Sequence, residues 1–499
     1  MKKSVLLLAA AALAGCTVGP DFERPAAPAA DAYLAPAEAQ AAAGAPNATE
    51  GEGPQLRWWQ AFGSPQLDAL VDRAIASNRS LAASNATLER AREQIAAVAG
   101  HRLPQVDATA RAEHEQVNLA AFGFDPSTFG LPGGNPEFEL YTVGGGISYD
   151  LDLFGRMRRQ VEQARAQAEA QQRQTEAAHL TVAGRVVNQV LTIAAIRDQI
   201  ATATALIAED QRNVDLTEKR RRAGEGTLVE VLTAQSQLAN DRGDLPQLDR
   251  QLAEARHMLA ILLGIAPAEL GPTDFSLAQF ALPRDIPVTL PSQLVHKRPD
   301  ILQAEADLHA ATAAVGVATA RLYPDITLGA NLAQAAPNVG DLFSGAFRGF
   351  DIFAGLAAPI FHGGTLKAEK RAAVAEARAA AATYQQTVLE AFGQVADLLS
   401  AIRTDAGALA SQQQAADVAG RSLHLSRRSF EVGNSGILQV LESSRTYQRA
   451  RLGLVDAQRR QYLDVARLYV ATAGGWTGPA VADAAVEARG SQSLKPARP

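Results

Sequence analysis

Apolar and polar positions along the chain follow two periods, and the change from one to the other happens at matching places in its two halves. Period two governs four short segments. In the first, Val106, Ala108, Ala110 and Ala112 face one way and Asp107, Thr109 and Arg111 the other. In the second, Tyr141, Val143, Ile147, Tyr149, Leu151 and Leu153 oppose Thr142, Ser148, Asp150 and Asp152. The second half repeats the pair with Ile326, Leu328, Ala330 and Leu332, then Phe350, Ile352, Ala354, Leu356 and Ile360. This alternation predicts strands over 104–112, 139–153, 324–334 and 350–361. After the first pair the period lengthens. No proline occurs from Arg156 to Arg222, and Val182, Val186, Val190, Ile193, Ile196 and Ile200 form a stripe at helical spacing. A helix over 156–222 follows, about 100 Å long at 1.5 Å per residue, with a counterpart over 365–432. Shorter helices are predicted over 227–263 and 437–473, and others over 65–100 and 291–321.

The two halves share more than order. Gly224-Glu-Gly-Thr-Leu-Val-Glu-Val-Leu232 returns as Gly433-Asn-Ser-Gly-Ile-Leu-Gln-Val-Leu441. A period of about 210 residues is too long for a solenoid, so the chain is a duplicated domain half. The repeats run over 57–270 and 291–476, joined by a linker over 271–290 and followed by a polar tail over 477–499. Helices this long exceed the usual globular range and imply a coiled-coil-like assembly.

Strands of about ten residues match tilted membrane strands. Alternation alone fits the half-buried strands of a soluble sheet as well. The connections at 121–136 and 335–349, rich in Gly, Pro and Asn, favour the membrane reading. Four strands cannot close a barrel, and an open edge in lipid costs several kcal/mol per unpaired backbone group. Two copies give eight strands with a filled interior; three give twelve and leave a lumen. Beyond the N-terminus no run of 18 consecutive apolar residues occurs, so a transmembrane helix is not expected and any crossing is by strands.

Composition narrows the class. The 499 residues are 47% hydrophobic and 20% charged with a net charge of -6, which argues against disorder and against a nucleic-acid surface. Aromatics are only 5%, which suits closely packed helices. The N-terminus reads as a signal peptide over 1–15: Met1-Lys2-Lys3, an apolar run from Val5 to Leu13, then Ala14-Gly15-Cys16. Leu13-Ala14-Gly15-Cys16 resembles the bacterial lipobox, which predicts lipidation of Cys16, the single cysteine of the chain. An ordinary signal peptide is the plainer alternative. The following segment, 16–56, reads as extended and irregular from its Ala, Pro and Gly content. The sequence holds no His-Glu-x-x-His, P-loop or Gly-x-Ser-x-Gly elbow, and its eight histidines are scattered, so neither an enzyme nor a metal or cofactor site is expected.

Five further motifs carry a resemblance: Gly19-Pro-Asp-Phe-Glu-Arg-Pro25, Trp58-Trp-Gln-Ala-Phe62, Leu151-Asp-Leu-Phe-Gly-Arg156, His296-Lys-Arg-Pro-Asp-Ile301 with Ala304-Glu305, and Pro359-Ile-Phe-His-Gly-Gly364. The chain resembles the outer-membrane factor family, the TolC-type exit ducts of tripartite efflux systems, in its lipoprotein branch (NodT-like, serving RND pumps). The resemblance implies an α+β membrane protein: a homotrimer with a twelve-stranded β-barrel in the outer membrane, four strands per chain, continued by a long periplasmic α-helical barrel with an equatorial domain. It implies a periplasmic adaptor and an inner-membrane RND-type pump as partners, outer-membrane lipid around the barrel, and an anchored location reaching into the periplasm. The glycine turns, Gly224 and Gly226 with Gly433 and Gly436, become docking tips. A narrow gate is implied at Glu442, Gln439 and Glu230, with Phe430 before the turn. Glu230 is the first-repeat position matching Gln439, and both acids have a plainer role as helix-start carboxylates. Trp58 and Trp59 read as core anchors. The expected function is a passive exit duct for small toxic compounds. A duct for metal ions or secreted polypeptide, and a periplasmic scaffold without a pore, stand as alternatives.

Overall fold

A computed structural model describes residues 17–26, 30, 32–35, 45–51, 53–118, 121 and 136–472. Cys16, the signal segment, most of the 121–136 connection and the 477–499 tail lie outside them. The described residues are mostly helical with two sheets. In chain order come β1 (Asn47–Gly51), α1 (Pro65–Ser77), α2 (Arg79–Gly100), β2 (Gln105–Gln116), β3 (Glu137–Asp150), α3 (Arg156–Arg222) and α4 (Leu228–Leu262). Then follow β4 (Asp285–Thr289), α5 (Pro291–Leu294), α6 (Pro299–Ala320), β5 (Asp325–Ala336), β6 (Arg348–Ala357), α7 (Thr365–Glu431) and α8 (Ile437–Thr472). The chain divides into two compact units. One comprises residues 1–25, 89–169 and 305–382, the other 26–88, 170–304 and 383–499.

The first unit is built on an antiparallel sheet ordered β2-β3-β5-β6, so the two repeats meet where β3 pairs with β5. Both edges are open among the described residues, and β6 presents Phe350, Ile352 and Leu356 exposed by 76, 79 and 68%. Leu151, Leu153 and Ile360, expected in strands, fall just past strand ends. The β3-to-α3 corner explains the first stop: Asp152 accepts from the backbone N–H of Met157 (2.9 Å) and Arg158 (3.0 Å), capping α3. Residues 17–25 lie along this unit. The Val18 N–H donates to the Phe154 carbonyl (3.2 Å), Asp21 pairs with Arg159 (2.7 Å), Arg24 pairs with Glu305 (2.6 Å), and Phe22 stacks on His309 at 4.4 Å.

In the second unit the helical stripe is the core: Val186, Val190 and Ile193 of α3 are fully buried with Val388 and Val395 of α7 and Val465 and Leu468 of α8. Trp58 and Trp59 are buried there, Trp58 stacked on Tyr469 at 5.6 Å. Several expectations are corrected. Segment 16–56 is not wholly irregular, because β1 pairs in parallel with β4, a strand inside the expected 271–290 linker. That pairing is held by Tyr33 Oη donating to the Thr289 carbonyl (2.6 Å) and by Thr289 Oγ1 donating to the Thr472 carbonyl (2.8 Å). The single helix expected over 65–100 is broken at Asn78, whose side chain accepts from the N–H of Ser80 and Leu81 and donates to the Leu262 carbonyl. The helix expected over 291–321 is likewise two, because Pro299 starts α6 afresh. α3 holds an 18-residue stretch of mean hydropathy 1.4, apolar and long enough to cross a bilayer by those criteria. The expectation of none counted only uninterrupted apolar runs. The apolar side chains of α3 named above serve the core.

Candidate gate at the helix turns

The two glycine turns close in the same way. At the first, the Gly224 N–H donates to Arg221 and the Glu225 N–H reaches back to Arg220 (2.9 Å); at the second, the Gly433 N–H donates to Phe430 and the Asn434 N–H to Ser429 (2.9 Å). Each glycine has φ of 79°, the left-handed conformation this helix stop requires and only glycine adopts without strain. From there the copies diverge. Thr227 opens α4 with a full capping box: its hydroxyl accepts from the Glu230 N–H (3.3 Å) while Glu230 Oε2 accepts from the Thr227 N–H (2.8 Å). The Glu230 carboxylate, one of the expected gate acids, is therefore engaged within its own helix. A Cβ on Gly226 would meet that carboxylate at 3.2 Å, whereas one on Gly436 meets nothing.

In the second turn Gln439 and Glu442 are exposed on α8, and the Glu442 carboxylate has no ion pair among the described residues. Phe430 is 3% exposed and packs with Leu423, Ile437, Val440 and Leu441, with Leu216 of α3 against the cluster. It belongs to the packing that holds the turn. Arg220, from the end of α3, lies over the Phe430 ring at 4.7 Å and donates from Nη1 to the Phe430 carbonyl (3.0 Å). This clasp joins the two hairpins. The sequence signalled it only as a basic run, Arg220-Arg221-Arg222; the latter two pair with Glu218.

Farther from the turns a polar layer is buried between helices. Asp210 and Asn213 of α3 and Gln237 and Asp241 of α4 are 1, 6, 5 and 6% exposed. Gln237 donates to Asp241 (2.7 Å) and accepts from Arg445 Nε of α8 (2.6 Å), and Arg427 of α7 lies 2.7 Å from Glu209. Burial and the facing Asp241 push the Asp210 carboxyl up to about 7. No group of three or more His, Cys, Asp or Glu suited to a metal ion occurs among the described residues.

The described residues thus form paired long and short helices ending in twin glycine turns and an antiparallel sheet with open edges. The chain belongs to the outer membrane efflux protein family, whose signature matches residues 70–265 and 290–474. It is similar to the pyoverdine export outer membrane protein OpmQ of Pseudomonas aeruginosa, 31% identical over 84% of this chain and 87% of that one. The toluene efflux pump outer membrane protein TtgC of Pseudomonas putida is 29% identical over 98% of this chain and 99% of its own. Among solved structures the outer-membrane channel OprN superposes with a TM-score of 0.82 at 29% identity, covering 93% of this chain and all of that one. The family is one of outer-membrane efflux channels rather than enzymes, working with an adaptor and an inner-membrane pump, and the protein is an outer-membrane protein.

Proposed function

We propose that three copies close a twelve-stranded barrel and a helical tunnel, forming a passive exit duct for small toxic organic compounds when an adaptor and an RND-type pump dock on the turns at Gly224–Gly226 and Gly433–Gly436. The observation that carries this reading is the open sheet. Edge strands β2 and β6 have no partner among the described residues, and β6 turns Phe350, Ile352 and Leu356 outward. A soluble scaffold with that edge is an aggregation hazard, whereas closure between subunits removes both edges. Organic cargo is supported by the relatives named for pyoverdine and toluene, which differ enough from one another that selection rests with the pump. Gate roles are assigned to Glu442 and Gln439, whose side chains are free to face a lumen, with Phe430 and the Arg220 clasp holding the turns together. No cofactor is used beyond a lipid on Cys16. Residues 17–25 run against the β3-to-α3 corner.

Native mass and planar-bilayer recording of the detergent-purified protein test the reading: a trimer that conducts weakly is expected. A monomer with intact secondary structure, or a trimer that never conducts, favours the non-conducting scaffold. A deletion strain screened against a panel of organic toxins and metal salts tests cargo, and sensitivity confined to the metals would replace organic compounds with ions.

A further inference from the structure

We infer that the α3–α4 hairpin is locked by a proton shared between Asp210 and Asp241, so that separating these helices near the gate is coupled to pH. Asp210 is 1% exposed within a single chain, and no neighbouring subunit can change that except to bury it further. Neither of its carboxylate oxygens accepts a hydrogen bond of good geometry. The groups that face it are Asp241 across the helix interface, the Asn213 amide one turn along α3, and Arg427 of α7. Arg427 sits against Glu209 at 2.7 Å, and the Gln237 amide is spent on Asp241, with Arg445 of α8 behind it. Two buried carboxylates side by side cannot both hold a charge without a large desolvation and repulsion cost. A single proton between them supplies the missing donor and removes one charge.

The sign follows from linkage. Asp210 is raised to about 7 from an ordinary 3.8, so the packed hairpin binds a proton that separated, hydrated helices release. Packing is favoured on the acid side and loses that advantage as pH rises through about 7. The second hairpin carries a related but more exposed carboxylate pair two heptads farther from its turn. There Asp405 of α7 faces Asp464 of α8 and is raised to about 6, moderated by Arg460, while Asp464 is itself paired with Arg467 at 2.8 Å. Both pairs join the long helix of a hairpin to its short one.

The consequence for conduction rests on the gate reading proposed above; the lock itself does not. Hydrogen exchange of α3 and α4 amides in the full-length trimer, expressed as protection relative to the intrinsic rate at each pH, tests the lock. Protection should fall as pH rises from about 4 to 7, by up to tenfold per pH unit for one proton, and level off above that, and Asp210→Asn should hold it at the acid value at every pH, because the amide donates to Asp241 without titrating. Asp241→Asn should do the same, and trimer mass with circular dichroism confirms folding of each. Flat protection in the wild type, a profile that survives both substitutions, or a response to added calcium or magnesium instead of pH would overturn the lock. Bilayer recordings then separate the two claims. A pH-dependent protection with pH-independent conduction leaves the lock standing and removes its link to the gate.

Discussion

Arg220→Ala is the sharpest test of how the tips are held. The guanidinium makes two contacts across the hairpins, a charge-assisted hydrogen bond to the Phe430 carbonyl at 3.0 Å and a cation–π contact at 4.7 Å. A hydrogen bond to a charged donor contributes about 1.5 to 3 kcal/mol, and the partly buried stacking about 1. Release of the ordered side chain offsets about 1.5 to 2 of this. A net loss of about 1 to 2 kcal/mol per chain remains, a shift of roughly 5- to 30-fold toward the splayed tip in each subunit. Single-channel recording of the variant should show more frequent or larger openings. Arg220→Lys should fall between, since it keeps charge and loses the planar fork. A double-mutant cycle with Phe430→Leu should show coupling of about 0.5 to 1 kcal/mol in the tip's hydrogen-exchange free energy. Conduction and exchange indistinguishable from wild type would refute the clasp.

Phe430→Ala should cost about 3 to 5 kcal/mol by emptying its place against Leu423, Ile437 and Leu441, seen as faster exchange at the second turn with the core around Trp58 unaffected. Glu442→Ala should change cation preference in reversal-potential measurements without lowering stability. Glu230→Ala should do the reverse, loosening the start of α4 by about 1 kcal/mol through loss of the capping box with little change in selectivity; equal selectivity effects would return Glu230 to the gate. Mass spectrometry of the mature N-terminus should find Cys16 acylated, and Cys16→Ala should still trimerise, because in the proposed barrel the strands themselves lie in the membrane.

What was legible in the sequence was whatever repeats within a turn or two. Alternation in Val106–Arg111 and the stripe from Val182 to Ile200 announce strand and helix because the period is local and uninterrupted. Non-local pairing was not legible. Strand β1 has five residues, too few for a period, and pairs with β4 more than 230 positions away, so its Ala-rich surroundings read as irregular chain. The break at Asn78 had a signal in the Ser77-Asn78 cap, outweighed by the helix-forming residues on both sides. The plainer role of Glu230 as a helix-start carboxylate had a specific local cue, since Thr227-Leu-Val-Glu230 is itself a capping-box pattern. Asp210 and Asp241 gave none: each sits among surface acids and arginines, and only the helix crossing brings them together.

Under the proposed gate, the difference between the two turns assigns where gating energy resides. The duplicated sequence keeps the glycine stop in both, but replaces Thr227 by Gly436 and Glu230 by Gln439. Glycine has no side-chain oxygen, so the second turn cannot form the box that secures the first. Its order depends on tertiary contacts: the Phe430 cluster and the arginine reaching over from α3. A turn fixed by its own local bonds moves as a rigid cap, and a partner that pulls on it changes little inside it. A turn held from outside is released when those contacts are exchanged for others. In the proposed docking, an adaptor that displaces Arg220 from Phe430 would act on the second hairpin, where Gln439 and Glu442 lie exposed, while the first keeps its shape and follows. Giving the second turn the first turn's local chemistry, by Gly436→Thr with Gln439→Glu, should therefore tighten the start of α8 and raise the threshold for opening. If the double substitution forms the box yet opens as the wild type does, the energy of the gate lies elsewhere than in the second turn.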